Sequence, residues 1–181
     1  MLFRKDGPSG LSIRRIARAI GYSPMALYRY FPQGIDEILA EARIHGYKLL
    51  HAKISEATTS VKDSPGKLRA YGKAFVRFFE EHPTEFRLIY EYTSGDWESF
   101  PELSRCIDDV WQPFESAIKE AIAEGILFGN AEEVSYLAWA ALHGVINLFL
   151  TGELTSQKHF NELTESMIEM IIRGAGIAPN E

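Results

Sequence analysis

The sequence is poor in the residues from which catalytic and metal sites are usually built. It has a single cysteine, Cys106, which excludes an internal disulfide and a thiolate metal site. None of its five histidines follows a glutamate by three residues, the spacing of carboxylate metal sites in helical bundles, and no glycine-rich phosphate loop is present. We therefore expect a protein that is not an enzyme and holds no cofactor and no metal. The lone cysteine also fits a reducing, cytoplasmic location.

Long apolar runs are also scarce. The longest, around residues 138–150, contains His143 and Asn147 and is shorter than the roughly 20 residues that span a bilayer. Residues 1–6 have no apolar core of signal-peptide length, so we expect no membrane partner. The chain nevertheless has 181 residues, of which 46% are hydrophobic, enough to bury a core in one or two domains.

Charge is distributed unevenly along the chain. The formal net charge is −6, yet residues 1–33 hold six Lys and Arg against one acid, Asp6. The rest of the chain is strongly acidic, so the surface as a whole is unsuited to bind polyanions. One small basic module on an acidic body is typical of a protein that reads DNA.

Residues 10–31, GLSIRRIARAIGYSPMALYRYF, predict two short helices joined by a tight turn. Ser12 and Ser23 are candidate N-caps, and Pro24 suits the first position of the second helix. Gly21 stands where a helix end needs a left-handed residue. The apolar positions that would pack the two helices together are Ile13, Ile16, Ala17, Ile20, Leu27 and Phe31.

The starts of these two helices lack acidic residues. A helix N-terminus carries about half a positive charge and normally attracts Asp or Glu, but here the first helix has Arg14 and Arg15 in that turn. A basic helix start suits a site that receives an external phosphate. Helix, glycine-containing turn and a second helix with a polar outer face is the arrangement that enters a DNA major groove.

The same residues resemble the helix-turn-helix signature of the TetR family of one-component transcriptional regulators. The resemblance implies an all-α dimer with a helix-turn-helix DNA-binding domain at residues 1–46. A helical ligand-binding and dimerisation domain would occupy residues 47–181. The matching positions are Gly10, Leu11, Ser12, Ile16, Ala17, Gly21, Ser23, Leu27, Tyr28, Tyr30, Phe31 and Pro32.

The resemblance also implies a partner, a double-stranded DNA operator, and the residues that touch it. Ser12, Tyr28 and Tyr30 would contact phosphates, while the start of the second helix would face base edges. With the outward-facing basic residues added, the candidate DNA-binding residues are Ser12, Arg14, Arg15, Ser23, Pro24, Met25, Ala26, Tyr28, Arg29 and Tyr30.

Two features depart from the family pattern. The family has a complete helix ahead of this motif, whereas here only residues 1–5 could form its last turn. We expect either further residues upstream of Met1 or an incompletely covered DNA-binding core. The family also places a phosphate-binding Lys at the start of the fourth helix, where this chain has Gln33-Gly34-Ile35-Asp36. Backbone N–H groups would have to replace that contact.

Six further helices are expected after Pro32, among them helices at about 36–57, 101–124, 131–151 and 156–173. Residues 63–66 are expected to form a loop, and Pro113 to kink the helix that contains it. The helix at 131–151 is apolar on two sides and so needs two packing partners. One partner is its own core, and the other is either a larger core or a second copy of the chain. The resemblance favours a homodimer, with the interface residues Val134, Ala138, Ala141, Val145, Leu148, Met167 and Ile171.

Aromatic residues are frequent in the C-terminal part of the chain. Each alone is an ordinary core residue, but many large rings with polar tips beside a proline-containing helix favour a pocket. Residues Trp139, His143 and Gly144 also resemble a Trp…His-Gly element of one TetR subgroup. The candidate effector-binding residues are Phe75, Phe79, Tyr90, Trp97, Trp111, Phe114, Trp139 and His143.

These observations predict a transcriptional regulator, most simply a repressor released from its operator by a small hydrophobic effector. The alternative is a helical dimeric module that binds small molecules or partners and does not bind DNA.

Overall fold

A computed structural model describes residues 10–90 and 99–174, which form α-helices and, within those ranges, no β-strand. The expected all-α class is therefore confirmed. The eight helices are α1 (Ile13–Ile20), α2 (Pro24–Tyr30), α3 (Ile35–Thr58), α4 (Ser64–Glu81), α5 (Pro83–Tyr90), α6 (Pro101–Ala123), α7 (Ala131–Leu150) and α8 (Gln157–Gly174).

The chain divides into two compact units. The first comprises Met1–Leu49 and His82–Ile107, and the second comprises Leu50–Glu81 and Asp108–Glu181. Two of the three divisions fall inside α3 and α6, and the third falls between α4 and α5. The sequence-based boundary at residue 46 assigned α5 to the C-terminal domain, whereas its contacts group it with the helix-turn-helix.

Two small apolar clusters hold the first unit together. Ile13 and Ala17 of α1 are buried against Leu27 of α2, as the sequence pattern predicted. In the second cluster Leu39 of α3 is buried against Leu88 of α5. The half-buried residues that pack against these clusters are Ile16, Phe31, Ile35 and Ile38 in the first, and Leu11, Ile35 and Ala42 in the second.

Helices α4, α7 and α8 pack on one another in the second unit. The approach of α4 to α8 is close, because a Cβ atom at Gly72 would lie 2.8 Å from Cγ1 of Ile168. Arg69 of α4 also donates two hydrogen bonds to the carboxylate of Glu169 in α8. Large side chains in this core that are excluded from solvent are Phe78, Phe160, Ile118, Leu127 and Ile146.

One expectation about local structure changes. Residues 63–66 are not a loop, because α4 begins at Ser64 and takes Pro65 and Gly66 into its first turn, where a proline needs no hydrogen-bond partner. The Asp63 side chain accepts a hydrogen bond from the Gly66 N–H at 2.8 Å, which satisfies one free donor of that turn. Helix α6 continues through Pro113 as one element.

Helix α7 is the one described helix that is long and apolar enough to cross a membrane, by length and composition alone. The apolar run expected at 138–150 lies within this longer helix, which starts seven residues before the run. Only 33% of its most apolar window is buried within the chain. Its buried residues, which belong to the core of the second unit, are Val134, Ser135, Ala138, Leu142, Val145 and Ile146.

Candidate DNA-binding and effector sites

The first helix of the motif begins as its sequence predicted. Ser12 is extended and its Oγ accepts a hydrogen bond from the Arg15 N–H at 3.3 Å. No acidic residue stands in the first turn, and the Arg14 and Arg15 side chains are exposed there. The Arg15 guanidinium also donates to the carbonyl oxygen of Gly10. The N-terminus of α1 is thus a capped helix end whose first turn carries no acidic residue, which suits a phosphate.

The turn and the second helix follow the same pattern. Gly21 has φ = 75°, the left-handed conformation that ends α1 at little steric cost for glycine. The Tyr22 N–H then donates to the carbonyl of Ala17 at 2.9 Å. Ser23 caps α2 by accepting from the Ala26 N–H at 3.1 Å, and Pro24 occupies its first turn. These local bonds fix the start of α2, and the buried Leu27 packs α2 against α1.

The outer surface of α2 is free for a partner. Met25, Tyr28 and Tyr30 are 73%, 51% and 74% exposed, unusual values for such large side chains. Of the ten predicted DNA-binding residues, Ala26 is half-buried and the other nine are exposed: Ser12, Arg14, Arg15, Ser23, Pro24, Met25, Tyr28, Arg29 and Tyr30.

The start of α3 does not resemble a phosphate contact. Its first turn carries Asp36 and Glu37, and the Glu37 carboxylate accepts a hydrogen bond from the Gln33 N–H at 3.0 Å. A backbone donor that could have replaced the family's lysine is therefore occupied. We expect phosphate contacts to come from α1 and α2 instead.

Two exposed residues at the turn were not among the candidates. Ile20 is 53% exposed and Tyr22 is 60% exposed, on either side of Gly21. The helical spacing of Ile13 and Ile16 predicts Ile20 as a core residue, but the structure exposes it. The glycine that follows it ends the helix before this position can pack inward, which is a signal the sequence does contain.

Most of the predicted effector residues make ring contacts with other aromatic side chains. In the second unit the ring of Trp139 lies 4.4 Å from that of His143, which lies 5.2 Å from Phe75. Trp111 contacts both Phe114 and Tyr136. The ring of Phe79 contacts those of Phe149 and Phe160.

Two further predicted effector residues complete the set. Tyr90 belongs to the first unit, where its ring contacts those of Tyr47 and Phe86. Trp97 lies outside the described residues.

Three cavities in the second unit have a polar lining or little volume. A cavity of about 540 Å³ is lined by Lys53, Glu56, Ala57, Ala70, Lys73, Ala74, Arg77 and Glu81. One of about 240 Å³ is lined by Thr58, Lys67, Tyr71, Pro113, Ser116, Ala117 and Glu120. One of about 20 Å³ is lined by Leu68, Gly72, Phe114, Ala138, Leu142, Ile168, Ile171 and Ile172. Of these three, only the smallest includes a predicted effector residue, Phe114.

His143 is held as a neutral ring. Burial lowers its pKa to about 4, from an ordinary value of 6.5. It can therefore offer a ligand a hydrogen bond without carrying charge at neutral pH.

This pKa predicts a stability loss in mild acid. Between pH 6.5 and pH 4 the unfolded chain binds a proton at residue 143 and the folded chain does not, so the free energy of unfolding falls as the pH drops. From pH 7 to pH 5 we expect wild type to lose about 2 kcal/mol more than His143→Gln. Urea unfolding of both proteins at the two pH values measures this difference, and equal losses would contradict it.

The predicted dimer residues divide by burial. Val134, Ala138 and Val145 are buried within the chain, and Ala141, Met167 and Ile171 are half-buried, while Leu148 is 46% exposed. Apart from Leu148, the exposed face of α7 is formed by residues one or two positions away in sequence from the predicted dimer residues. Its exposed residues are Tyr136, Leu137, Trp139, Ala140, Gly144, Asn147, Leu148 and Leu150.

Within residues 10–90 and 99–174, no group of three His, Cys, Asp or Glu side chains could hold a metal ion. The features that do stand out are two capped helices with acid-free starts and an exposed second helix, attached to further helices. This arrangement defines the class of helix-turn-helix DNA-binding regulators.

Comparisons with known proteins agree with this class. Residues 1–42 match the family described as bacterial regulatory proteins, tetR family. Residues 68–171, more than half of the chain, match the tetracyclin repressor-like C-terminal domain. The chain belongs to the TetR family of transcriptional regulators, and it is a DNA-binding regulator.

Individual relatives are distant. An uncharacterised HTH-type transcriptional regulator from Haemophilus influenzae is 22% identical over 185 residues, covering 96% of this chain and 83% of that protein. The TetR family regulator PfmR from Thermus thermophilus has a similar fold, with a TM-score of 0.75, 23% identity and coverage of 98% and 94%. The fatty acid degradation regulator FadR from Bacillus halodurans has a TM-score of 0.76, 12% identity and coverage of 96% and 89%.

Proposed function

We propose that this regulator is a repressor that binds its operator through α2 and is released by a small hydrophobic effector. The observation that carries the DNA contact is the exposed, acid-free surface formed by α2 and the start of α1. Phosphate contacts from Ser12, Arg14, Tyr28 and Tyr30 would position the helix. Met25 would then meet base edges, since apolar side chains read thymine methyl groups.

Selection from a pool of random duplex DNA tests this proposal. The protein, with any native residues upstream of Met1, is expected to retain a common sequence with two related half-sites, about 34–36 Å or a multiple apart. Retention of no sequence above background at low salt would favour the alternative of a helical module that does not bind DNA.

We propose a homodimer formed by α8 together with one stripe of the exposed face of α7, which does not include Trp139: Leu137, Ala140, Gly144 and Leu148. Leu137 is 69% exposed and Met170 of α8 is 58% exposed. Contact with a second copy of the chain would remove the apolar surface of both side chains from water. TetR regulators bind DNA as dimers, which supports this assignment. A twofold axis would pair each open face with its equivalent.

Gly144 supports a close helix crossing at this face. A Cβ atom at Gly144 would meet nothing within 4 Å in the described chain, so no packing inside the chain requires glycine there. Glycine in a helix interior costs roughly 0.5–1 kcal/mol relative to alanine. If a second α7 crosses near Ala140 and Gly144, the absence of a side chain at Gly144 would let the two helices approach closely, which explains why a glycine stands there despite its cost.

The effector would be a small, neutral or weakly anionic, apolar or aromatic compound. The neighbouring, mutually tilted rings of Phe75, His143 and Trp139 would supply apolar contact, with His143 adding one polar contact. The regulatory role of the Bacillus halodurans neighbour in fatty acid degradation is compatible with an apolar effector. The effector need only favour a conformation with the wrong spacing of recognition helices to release DNA.

Trp139→Ala is expected to abolish release of DNA by the effector while leaving operator affinity unchanged. The reason is that Trp139 lies one helical turn from His143, in the second unit, and is remote in sequence from the DNA-binding motif. Operator binding with and without an added panel of apolar carboxylates and aromatic compounds measures both effects. Full release from the variant would exclude Trp139 from the effector site.

We also propose that the protein is cytoplasmic and has no catalytic activity. The regulator family and the lack of a catalytic constellation in the sequence support both statements. The apolar surface of α7 is then a protein–protein surface and not a lipid-facing one.

A further inference from the structure

Helix α5 makes a close and specific junction with α3 inside the first unit. A Cβ atom at Gly46 would lie 2.9 Å from Cγ2 of Ile89, so the two helices approach closely at this glycine. The buried Arg43, one turn earlier, donates from Nη2 to the carbonyl oxygen of Ile89 at 3.2 Å. The rings of Tyr47 and Tyr90 meet edge to face at 6.2 Å. These contacts fix both the depth and the register of α5 on α3.

That register places Leu88 in a cluster that reaches the DNA-binding motif. Leu88 is 8% exposed, and its cluster includes Leu39 of α3 and the half-buried Leu11. Leu11 directly precedes Ser12, the N-cap of α1. A hydrophobic residue just before an N-cap, when anchored by packing, fixes the angle at which the chain enters the helix.

We propose that Leu88 is a positioning residue for DNA binding, held in place by Arg43 and Gly46. Through Leu11 it supports the N-terminus of α1, whose Ser12 and Arg14 are the proposed phosphate contacts. The DNA-binding module therefore requires a helix that begins about fifty residues beyond the end of the motif in sequence. The inference rests on the proposed function of that N-terminus.

Leu88→Ala compared with Leu103→Ala tests the inference. Both leucines are buried in the first unit and lose the same atoms, and Leu88 belongs to the cluster against which Leu11 packs. The probe is a duplex that the wild type selects from random DNA, with binding measured at a temperature where circular dichroism shows every variant folded. We expect about tenfold weaker binding for Leu88→Ala, and a slope of log affinity against log salt that is shallower by about one.

The affinities and salt slopes of the two variants distinguish a positioning role of Leu88 from a role in stability alone. Leu103→Ala should keep the wild-type affinity and salt slope. If both variants bind like wild type, or both lose equal affinity with an unchanged slope, Leu88 acts only on stability and the inference is wrong. Failure of the wild type to select any duplex would instead refute the proposed function.

A double-mutant cycle provides a test that does not remove Leu88. Gly46→Ala should weaken binding, because its methyl group collides with Ile89. Ile89→Ala removes the colliding atom, so the double variant should bind more tightly than the two single effects predict. The exposed His45→Ala is the control on α3 and should leave binding unchanged. Additive effects of the two substitutions would overturn the role of this junction.

Discussion

Leu148→Asp is expected to convert the protein into a folded monomer that no longer binds its operator. Leu148 is 46% exposed in the single chain, so the substitution removes no core contact and helical circular dichroism should persist. In the proposed dimer the carboxylate would be desolvated against apolar side chains, a penalty of several kcal/mol. We expect at least a hundredfold weaker self-association, measured by sedimentation at micromolar concentration.

Two controls separate this effect from general damage. Gln112→Asp adds the same charge at an exposed position of α6 and should remain dimeric. Val145→Asp introduces the charge at a side chain that is 6% exposed, and should unfold the second unit instead. A Leu148→Asp protein that still sediments as a dimer would remove α7 from the interface.

The helix-turn-helix could be predicted from the sequence because its signals are local. Each signal acts within four residues of its own position. Two are the N-caps Ser12 and Ser23. The others are the left-handed backbone of Gly21 and the missing N–H of Pro24. Such signals do not depend on what packs from elsewhere in the chain. Both ends of α1 and the start of α2 could therefore be predicted to the residue, whereas Phe31, expected inside the second helix, is its C-cap.

The buried face of α7 could not be predicted in the same way. Nearly every position from Val134 to Leu150 is apolar or small, so the helical period does not identify the inner face. Leu142 and Ile146 are buried because other helices of the second unit pack against that side of α7. Leu137, the most exposed apolar residue of α7, was missed for this reason.

The membership of α5 in the first unit is also non-local. Its sequence, PTEFRLIY, reads as an ordinary amphipathic helix, and nothing in it specifies Gly46 as the contact of Ile89. The aromatic residues raise the same difficulty. From the sequence, Tyr90 and Phe75 are equally good candidates for lining a pocket. They nevertheless belong to different units, because their helices pack in different places.

Substitutions on the two motif helices are expected to separate DNA affinity from sequence preference. Arg14→Ala removes a proposed phosphate contact, so binding should weaken about tenfold on every duplex, and the salt slope should fall by about one. Met25→Ala removes a proposed contact with base edges. It should weaken binding only to the selected duplex, by roughly 1–3 kcal/mol, and leave random-sequence DNA unaffected.

The contrast is informative because both side chains are exposed and neither supports the core. Arg14 lies in the first turn of α1 and Met25 in the first turn of α2, so each can be shortened without loss of the Ile13–Leu27 cluster. Arg105→Ala is the control, since it removes an exposed cation from α6 in the same unit. Fluorescence anisotropy with the selected and a scrambled duplex, over a range of salt concentrations, measures all three variants. If Met25→Ala weakened both duplexes equally, or Arg14→Ala changed only the selected one, α2 would not be the helix that reads the sequence.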